Sequence, residues 1–290
     1  MKARNFTRWM MQEDINFLLT NRIPRITLTR LMGWFSRIES PWLARLSIAV
    51  WRLFTELDLS DAKEARFSSL HACFTRSLKD GARPVDMRPA VLVSPCDAIV
   101  GSHGAIAHGQ VFQAKGMAYS LRDLLGAEES ARMLRRLEGG TFVTLRLTSA
   151  MYHRFHAPAD LTVDQLTYIS GDTWNVNPIA LKRVERLFCR NERAVIRGRL
   201  NDGNTSFVMV PVAAVLVASM RFHFADVLMN LRWPGPNRIP CRATLTRGQE
   251  MGWFEHGSTI IVLLPCGFEL MDGITAGTTM RMGQALVRRA

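Results

Sequence analysis

The feature that most constrains the fold is an uninterrupted apolar run close to the C-terminal end of the chain. Residues 259–264 read TIIVLL, and they follow a glycine-rich, charged segment that ends in Gly257 and Ser258. A run this apolar and this rich in β-branched side chains is typical of a buried strand. The sequence therefore predicts a strand inside the core that begins at a Gly-Ser-Thr turn.

The Gly257–Ser258 junction at the start of that strand permits an unusual reaction. Because Gly257 has no Cβ, its carbonyl can be approached closely and its backbone can adopt strained angles. The Ser258 hydroxyl lies close to its own preceding peptide bond, which suits attack by the serine on its own backbone. An ordinary turn is the alternative interpretation.

The rest of the chain contains further strand-like runs, at 91–93, 98–101, 141–147, 161–169, 193–200 and 207–217. Helical patterns occupy 68–78 and 120–137, and no internal repeat is present. These patterns predict an α+β fold with a mainly β catalytic body, residues 60–290, behind an N-terminal amphipathic helical segment, residues 1–59.

The segment 1–59 differs from the rest of the chain in composition and in the spacing of its apolar residues. Apolar residues recur there at helical spacing, arginines are interleaved with them, and four of the seven tryptophans lie here, namely Trp9, Trp34, Trp42 and Trp51. Basic amphipathic helices with tryptophan suit the headgroup layer of an anionic membrane. A helical cap that packs on the protein's own core and exposes a basic face fits the pattern equally well.

The net charge indicates which class of partner the protein binds, and the cysteine content indicates the cellular compartment. The net charge of +12 favours an anionic partner, either acidic lipid or nucleic acid, and the absence of a recognised nucleic-acid motif favours lipid. The five cysteines form no Cys-x-x-Cys pair, which argues against a disulfide framework and a zinc site and indicates a reducing, cytoplasmic compartment. The sequence shows neither a signal peptide nor a run of about 20 apolar residues that could span a bilayer.

Four residues are candidates for acid–base or nucleophilic chemistry. His153 and His156 lie three residues apart in YHRFHAP (152–158), where one could serve as a base and the other as an acid, or both could be structural. Asp97 lies in a turn after a strand, where it could orient a histidine or merely cap the turn. With Ser258 these residues form an Asp–His–Ser set, which only geometry can establish. The chain contains no Gly-x-Ser-x-Gly elbow and no phosphate-binding or dinucleotide-binding loop.

A series of ordered motifs is similar to those of the phosphatidylserine decarboxylase proenzymes of the bacterial membrane-bound type. The similar segments run over almost the whole chain: PRITLTRLMGW (24–34), FTRSLKDGARPVD (74–86), SPCD (94–97), QAKGMAYSL (113–121), YHRFHAP (152–158), FCRNER (188–193), GQEMG (248–252) and GST (257–259). Two positions depart from the family pattern, His256 in place of leucine and Ala98 in place of glycine. His256 keeps a catalytically silent lipid-binding homologue as the alternative.

The resemblance implies a complete reaction scheme. His156, oriented by Asp97, removes the proton of Ser258, whose oxygen attacks the Gly257 carbonyl. The chain then splits into residues 1–257 and 258–290, and Ser258 becomes a covalent pyruvoyl (pyruvate) group, with no metal and no pyridoxal phosphate. Phosphatidylserine forms a Schiff base with that group, loses carbon dioxide with His153 as the proton donor, and becomes phosphatidylethanolamine.

The resemblance also implies where such an enzyme works and with what. It implies a carboxy-lyase made as a zymogen, which after cleavage is a heterodimer of a large β chain and a small α chain. Its partners would be phosphatidylserine and an anionic membrane surface, not nucleic acid, at the cytoplasmic face of the cell membrane as a peripheral protein. Further association into a homo-oligomer is left open.

Overall fold

Helices form most of the N-terminal part of the chain in the computed structural model, which describes residues 13–21, 24–114, 117–127, 129–201, 205–216, 219–231, 233–255 and 258–290. The helices are α1 Glu13–Asn21, α2 Arg25–Ser36, α3 Pro41–Arg52, α4 Leu70–Phe74, α5 Leu121–Leu125, α6 Ala131–Leu137, α7 Pro178–Arg183 and α8 Leu187–Arg190, with a 3₁₀ turn at His223–Ala225. Serine hydroxyls cap several of them. Ser40 and Ser69, for example, accept backbone N–H hydrogen bonds at the starts of α3 and α4.

Strands form most of the remaining regular secondary structure. They are β1 Val91–Val93, β2 Ala98–Ala105, β3 Gln110–Ala114, β4 Met117–Ser120, β5 Thr141–Leu147, β6 Arg154–His156, β7 Leu161–Ile169, β8 Arg193–Leu200, β9 Thr205–Ala213, β10 Ser219–Phe222, β11 Val227–Asn230, β12 Arg238–Leu245, β13 Glu250–Phe254, β14 Ser258–Leu264, β15 Phe268–Leu270, β16 Thr279–Met280 and β17 Ala285–Arg289. The expected α+β fold with a mainly β body is confirmed.

The largest sheet has eight strands in the order β12-β7-β8-β9-β14-β5-β2-β16. Every pairing in it is antiparallel. Smaller sheets have the orders β11-β10-β13-β6, β1-β17-β15 and β3-β4. The four-stranded sheet includes β6 from YHRFHAP (152–158) and β13, which begins in GQEMG (248–252), so it brings two of the motifs that carry the resemblance side by side.

Strand β14 occupies the interior of the eight-stranded sheet, between β5 and β9. All seven of its residues are buried, as the apolar run predicts. Its first residue, Ser258, pairs with Leu147 of β5 and Ala213 of β9. Since each fully buried aliphatic side chain contributes about 1.5–3 kcal/mol, this strand fixes the position of its own N-terminal end firmly.

The N-terminal helices pack on the β body. Arg25 of α2 pairs with Asp172 at 2.6 Å, and its guanidinium lies 3.8 Å from the ring centroid of Trp174. The Thr29 hydroxyl accepts a hydrogen bond from the Leu216 backbone N–H at 3.0 Å. A small apolar cluster crosses residue 59, the predicted domain boundary, and consists of Ile48, Leu57, Ala62, Phe67, Leu70 and Cys73. In the described part of the chain, no helix has the length and apolar character needed to cross a bilayer.

Two helical predictions need correction. The pattern at 68–78 gives only α4, because the chain turns at Thr75 and then extends, so that Leu78 forms a β-bridge with Ala62. The pattern at 120–137 gives two helices, because Gly126 has a φ of +97° and ends α5 before Ser130 caps α6.

Candidate active site

Ser258 is fully buried at the first position of β14. Its hydroxyl oxygen makes no hydrogen bond with any residue that the structure describes. Leaving a buried hydroxyl unsatisfied costs about 1–3 kcal/mol, so such a group in a native fold calls for an explanation such as a catalytic role. The two preceding residues of the expected cleavage sequence, His256 and Gly257, lie outside the described residues.

His153 lies just before β6 of the four-stranded sheet. It is opposite the last residue of β13, from which the chain continues to Ser258. Its backbone carbonyl accepts a hydrogen bond from the Phe254 N–H at 3.0 Å, just beyond the β6–β13 pairing. The loop 148–152 then joins His153 to Leu147, the residue that pairs with Ser258. The His153 ring is fully buried and its centroid lies 4.0 Å from that of Phe74. Two short stretches of sequence therefore relate His153 to Ser258. Loop 148–152 leads to Leu147, the strand partner of Ser258, and Phe254, the partner of His153, lies four residues before Ser258.

His156 lies at the opposite end of the same pairing, across from Glu250. Its Nδ1 lies 2.9 Å from the Gly248 carbonyl oxygen and its Nε2 lies 3.0 Å from the Tyr152 hydroxyl. A carbonyl oxygen can only accept, so Nδ1 carries the hydrogen and Nε2 accepts from the tyrosine when the ring is neutral. Burial lowers the pKa of His156, which favours this neutral form.

Asp97 is held by Arg83. The guanidinium donates to the two carboxylate oxygens at 2.9 and 2.6 Å, and the backbone N–H of Met282 donates to the same carboxylate at 2.9 Å. In this structure Asp97 therefore makes no direct hydrogen bond with His156, and the predicted orientation of His156 by Asp97 stays a prediction. A bidentate, charge-assisted contact holds the Asp97 carboxylate on Arg83. The two ring nitrogens of His156 are instead paired with Tyr152 and the Gly248 carbonyl.

A buried carboxylate also lies three residues before Ser258. Glu255 accepts hydrogen bonds from Arg37 at 2.5 Å and from the Ser219 hydroxyl at 2.6 Å. The Nε2 atom of His71 lies 3.7 Å from its other oxygen. Burial lowers the pKa of His71, although the charge of Glu255 opposes that shift. Glu255 thus ties the residue that follows α2 to the segment that leads into β14.

Comparison with known sequences decides the family. The sequence model described as phosphatidylserine decarboxylase matches residues 70–288. This chain belongs to the phosphatidylserine decarboxylase family. It is 35% identical over 284 residues to the phosphatidylserine decarboxylase proenzyme of Shewanella baltica (strain OS155), a match that covers 94% of this chain and 96% of that protein. The proenzymes of Ectopseudomonas mendocina and Pseudomonas aeruginosa are each 35% identical, over 95% and 91% of this chain and 98% and 93% of theirs.

Membership of the phosphatidylserine decarboxylase family confirms the predicted class of enzyme, a carboxy-lyase of phospholipid metabolism made as a proenzyme. The alternative of a catalytically silent homologue receives no support from these similarities, which extend over nearly the full length of each relative.

Sequence reasoning on this decarboxylase missed three residues of the site. Arg83 and Tyr152 both lie inside motifs that carried the resemblance, but no role was assigned to either. An arginine in a glycine- and proline-rich loop is the signal that could have pointed to a partner for Asp97. Glu255 gave no signal at all, because its partner Arg37 lies 218 positions away in the sequence.

Proposed function

We propose that this chain is a self-processing phosphatidylserine decarboxylase whose pyruvoyl group is made from Ser258. The observation that carries this proposal is the state of the serine hydroxyl, which is buried and free of hydrogen bonds within the described part of the chain. A hydroxyl that must attack the neighbouring carbonyl cannot be held by a competing acceptor. Most buried hydroxyls have a partner. Among the described serine and threonine residues, Ser258 shares the lack of one with Thr144, Thr173 and Thr259, and of these four it is the one that follows the glycine of the Gly-Ser-Thr motif.

Self-cleavage starts when the Ser258 oxygen attacks the Gly257 carbonyl carbon and its proton passes to a base. The peptide C–N bond breaks, and an ester and a free amine replace it. Loss of the Ser258 α-proton with cleavage of the Cβ–O bond then releases Gly257 as the C-terminal carboxylate of residues 1–257. Water converts the resulting dehydroalanine into a ketone and releases ammonia, which leaves the pyruvoyl group at the start of 258–290.

We assign the base to His153 and not to His156. The strand pairing supports this assignment, because His153 lies opposite Phe254 whereas His156 lies opposite Glu250, further from Ser258 along the chain. The contacts of His156 with Gly248 and Tyr152 suit a positioning role for the loop. This assignment moves the base from His156, where the resemblance implies it, to His153, which also keeps its implied role as proton donor.

Once formed, the pyruvoyl group supplies a carbonyl that accepts the electron pair left behind when the substrate carboxylate departs as carbon dioxide. His153 then returns a proton to the substrate carbon, and the product is phosphatidylethanolamine. General acid help of this kind typically contributes about a hundred- to ten-thousand-fold in rate. The complete burial of His153 against Phe74 keeps bulk water from competing for that proton transfer.

The N-terminal segment is proposed to meet an anionic bilayer from one side, at the cytoplasmic face of the cell membrane. Helix α3 and the turn after it expose five large apolar side chains: Trp42, Leu46, Val50, Leu53 and Phe54 are 47–78% exposed. Contiguous exposed apolar surface of this kind marks an interaction site. Arginines interleaved with it would add roughly 1 kcal/mol each near an anionic surface.

An apolar cavity of about 550 Å³ opens at this surface, where Leu46 and Val50 line it, and is proposed to receive the acyl chains of the substrate. Its lining includes Met32 of α2, Leu46 and Trp51 of α3, and Phe74 of α4. Phe74 packs on the His153 ring, so the cavity leads from the proposed membrane face toward the proposed catalytic histidine.

Intact mass and gel analysis of the expressed protein test the self-cleavage. We expect fragments of residues 1–257 and 258–290, the smaller with a blocked, carbonyl-containing N-terminus. Ser258→Ala should stay whole because a methyl group cannot attack. Ser206→Ala, which removes another buried hydroxyl from the neighbouring strand β9, should still cleave. An unbroken wild-type chain with a free serine after long incubation at neutral pH would contradict the proposal.

The two histidine roles are separated by comparing processing with carbon dioxide release. His153→Ala should remain uncleaved, whereas His156→Ala should cleave, at a reduced rate. If His156→Ala stays whole while His153→Ala cleaves and then fails to decarboxylate, the assignment implied by the resemblance is right and ours is not. If both cleave normally, neither histidine is the base.

Vesicle flotation tests the membrane face. The wild type should float with phosphatidylglycerol vesicles, and binding should weaken when salt is raised or when Trp42 and Leu46 are changed together to serine. Met87→Ser is the matched control, because Met87 is 71% exposed on the β body. Equal flotation of the double variant and the control would locate the anchor elsewhere.

A further inference from the structure

Arg146 of β5 is a cation that the described fold leaves without a partner. It pairs through its backbone with Ile99 and Thr259, next to the Leu147–Ser258 pair. Its guanidinium forms no hydrogen bond or ion pair within the part of the chain that the structure describes, and burial lowers the pKa of Arg146. Arginine nevertheless stays protonated at physiological pH, so a positive charge is held here partly out of water. Such a charge normally has an anionic partner.

The surroundings of Arg146 suit an anion. It lines a cavity of about 290 Å³ together with Thr148, Ser149, Asn175 and residues 214–216. Among the described residues the lining contains hydroxyl and amide groups, which can donate hydrogen bonds, and no carboxylate. Within the described part of the chain, nothing in the cavity therefore neutralises the charge of Arg146.

The position of this polar cavity relates it to both the nucleophile and the membrane face. Leu147, which pairs with Ser258, and Ala214, which follows the other Ser258 partner, both line it. Ser149 and Leu216 line the polar cavity and also the apolar cavity under α2 and α3. The apolar cavity therefore shares lining residues with the polar cavity, and the polar cavity is lined by residues at the strand partners of Ser258.

We propose that Arg146 binds the phosphodiester of the phospholipid substrate in this polar cavity, an assignment that rests on the proposed decarboxylase function. The phosphodiester is the group that separates acyl chains from the serine headgroup, which matches the order of the two cavities and Ser258. The fork of a guanidinium fits two phosphate oxygens at once. Pairing with the substrate carboxylate is disfavoured on mechanistic grounds. An arginine held against that group would stabilise the charge that must leave it and would raise the barrier to decarboxylation.

Kinetics on the processed enzyme give the first test. With short-chain phosphatidylserine in neutral detergent, Arg146→Gln should raise KM about 10- to 100-fold, the range expected for a lost hydrogen-bonded charge contact, with kcat changed less than about threefold. Arg146→Lys should recover part of that loss. Arg199→Gln removes a positive charge from an exposed ion pair on the same sheet and should leave KM unchanged. An unchanged KM in Arg146→Gln overturns the proposal.

Direct binding provides a test that needs neither cleavage nor activity. In a Ser258→Ala background, equilibrium dialysis with radiolabelled glycerophosphoserine should show binding that Arg146→Gln weakens at least tenfold. Glycerophosphocholine should compete, since the diester is shared. Competition by inorganic phosphate alone would identify a free-phosphate site and overturn the lipid assignment. If the wild type binds the diester but decarboxylates no phosphatidylserine, the proposed function fails while the anion site stands. Equal binding by both proteins refutes the anion site.

Discussion

Replacing Arg37 and Glu255 singly and together measures how strongly the N-terminal segment is tied to the residues before the cleavage point. The Glu255 side chain is 8% exposed and that of Arg37 is 47% exposed. A buried hydrogen bond to a charged group contributes about 1.5–3 kcal/mol, and an exposed ion pair about 0.2–1 kcal/mol. With one partner in each environment, we expect a coupling energy of about 1 kcal/mol.

The single variants should differ in a way that the geometry explains. Among the described residues, Arg37→Gln leaves the buried carboxylate with the Ser219 hydroxyl and His71 as its side-chain partners, and should cost about 2 kcal/mol. Glu255→Gln keeps an acceptor for Ser219 and leaves a half-exposed arginine that water can solvate, so it should cost less. The double variant should therefore be little worse than Arg37→Gln alone.

The assay is urea unfolding of the four proteins in a Ser258→Ala background, so that all are single chains. The exposed pair Arg199–Asp164, whose side chains are 47% and 41% exposed, is the control cycle and should give about 0.3 kcal/mol. If the Arg37–Glu255 coupling is no larger than that of the control pair, the contact contributes nothing specific and the link between the two segments is refuted.

Two further predictions concern stability. Gly252→Ala should lower the free energy of unfolding by about 1–3 kcal/mol, because the new Cβ would lie 1.8 Å from the Arg221 carbonyl oxygen across the β10–β13 pairing. Gly33→Ala, in α2 with nothing within 4 Å of a new Cβ, should instead stabilise by about 0.5–1 kcal/mol, and thermal unfolding compares the two. Burial lowers the pKa of His156 below its ordinary 6.5. As the pH falls below 6.5, this histidine therefore binds a proton in the unfolded chain before it does so in the folded chain. Stability should therefore fall as pH drops from about 6.5 toward 5, and His156→Gln should reduce that slope by up to about 1.4 kcal/mol per pH unit in urea titrations at each pH; an unchanged slope would contradict the prediction.

The parts of this fold that local sequence dictates were predictable, and those that depend on distant contacts were not. The apolar run 259–264 and the pattern 193–200 gave strands at those positions, because side-chain burial alone decides them. The helix expected at 120–137 is interrupted where one glycine adopts a positive φ, a choice that neighbouring sequence only weakly indicates.

In the candidate active site, too, the features set by local sequence were predictable and those set by distant contacts were not. Ser258 and the two histidines lie in recognisable motifs, and strand pairing places His153 opposite Phe254, four residues before Ser258 in the sequence. The hydrogen-bond partners that the structure shows for Asp97, Arg83 and the backbone N–H of Met282, were not predicted, and the latter lies 185 positions away. No pattern in a single sequence reports such a contact.

The threading of the last 33 residues, 258–290, through the fold has a consequence for how the mature protein would behave once unfolded. This segment supplies β14 between β5 and β9, β16 at the edge beside β2, and β17 between β1 and β15. The precursor can refold as one molecule, with the two parts always at high effective concentration. After cleavage, regaining the fold becomes a bimolecular reaction in which a short, apolar peptide must insert into the middle of a sheet before it aggregates. Denaturation should thus be far less reversible for the cleaved protein than for the precursor, and its recovery should depend on protein concentration.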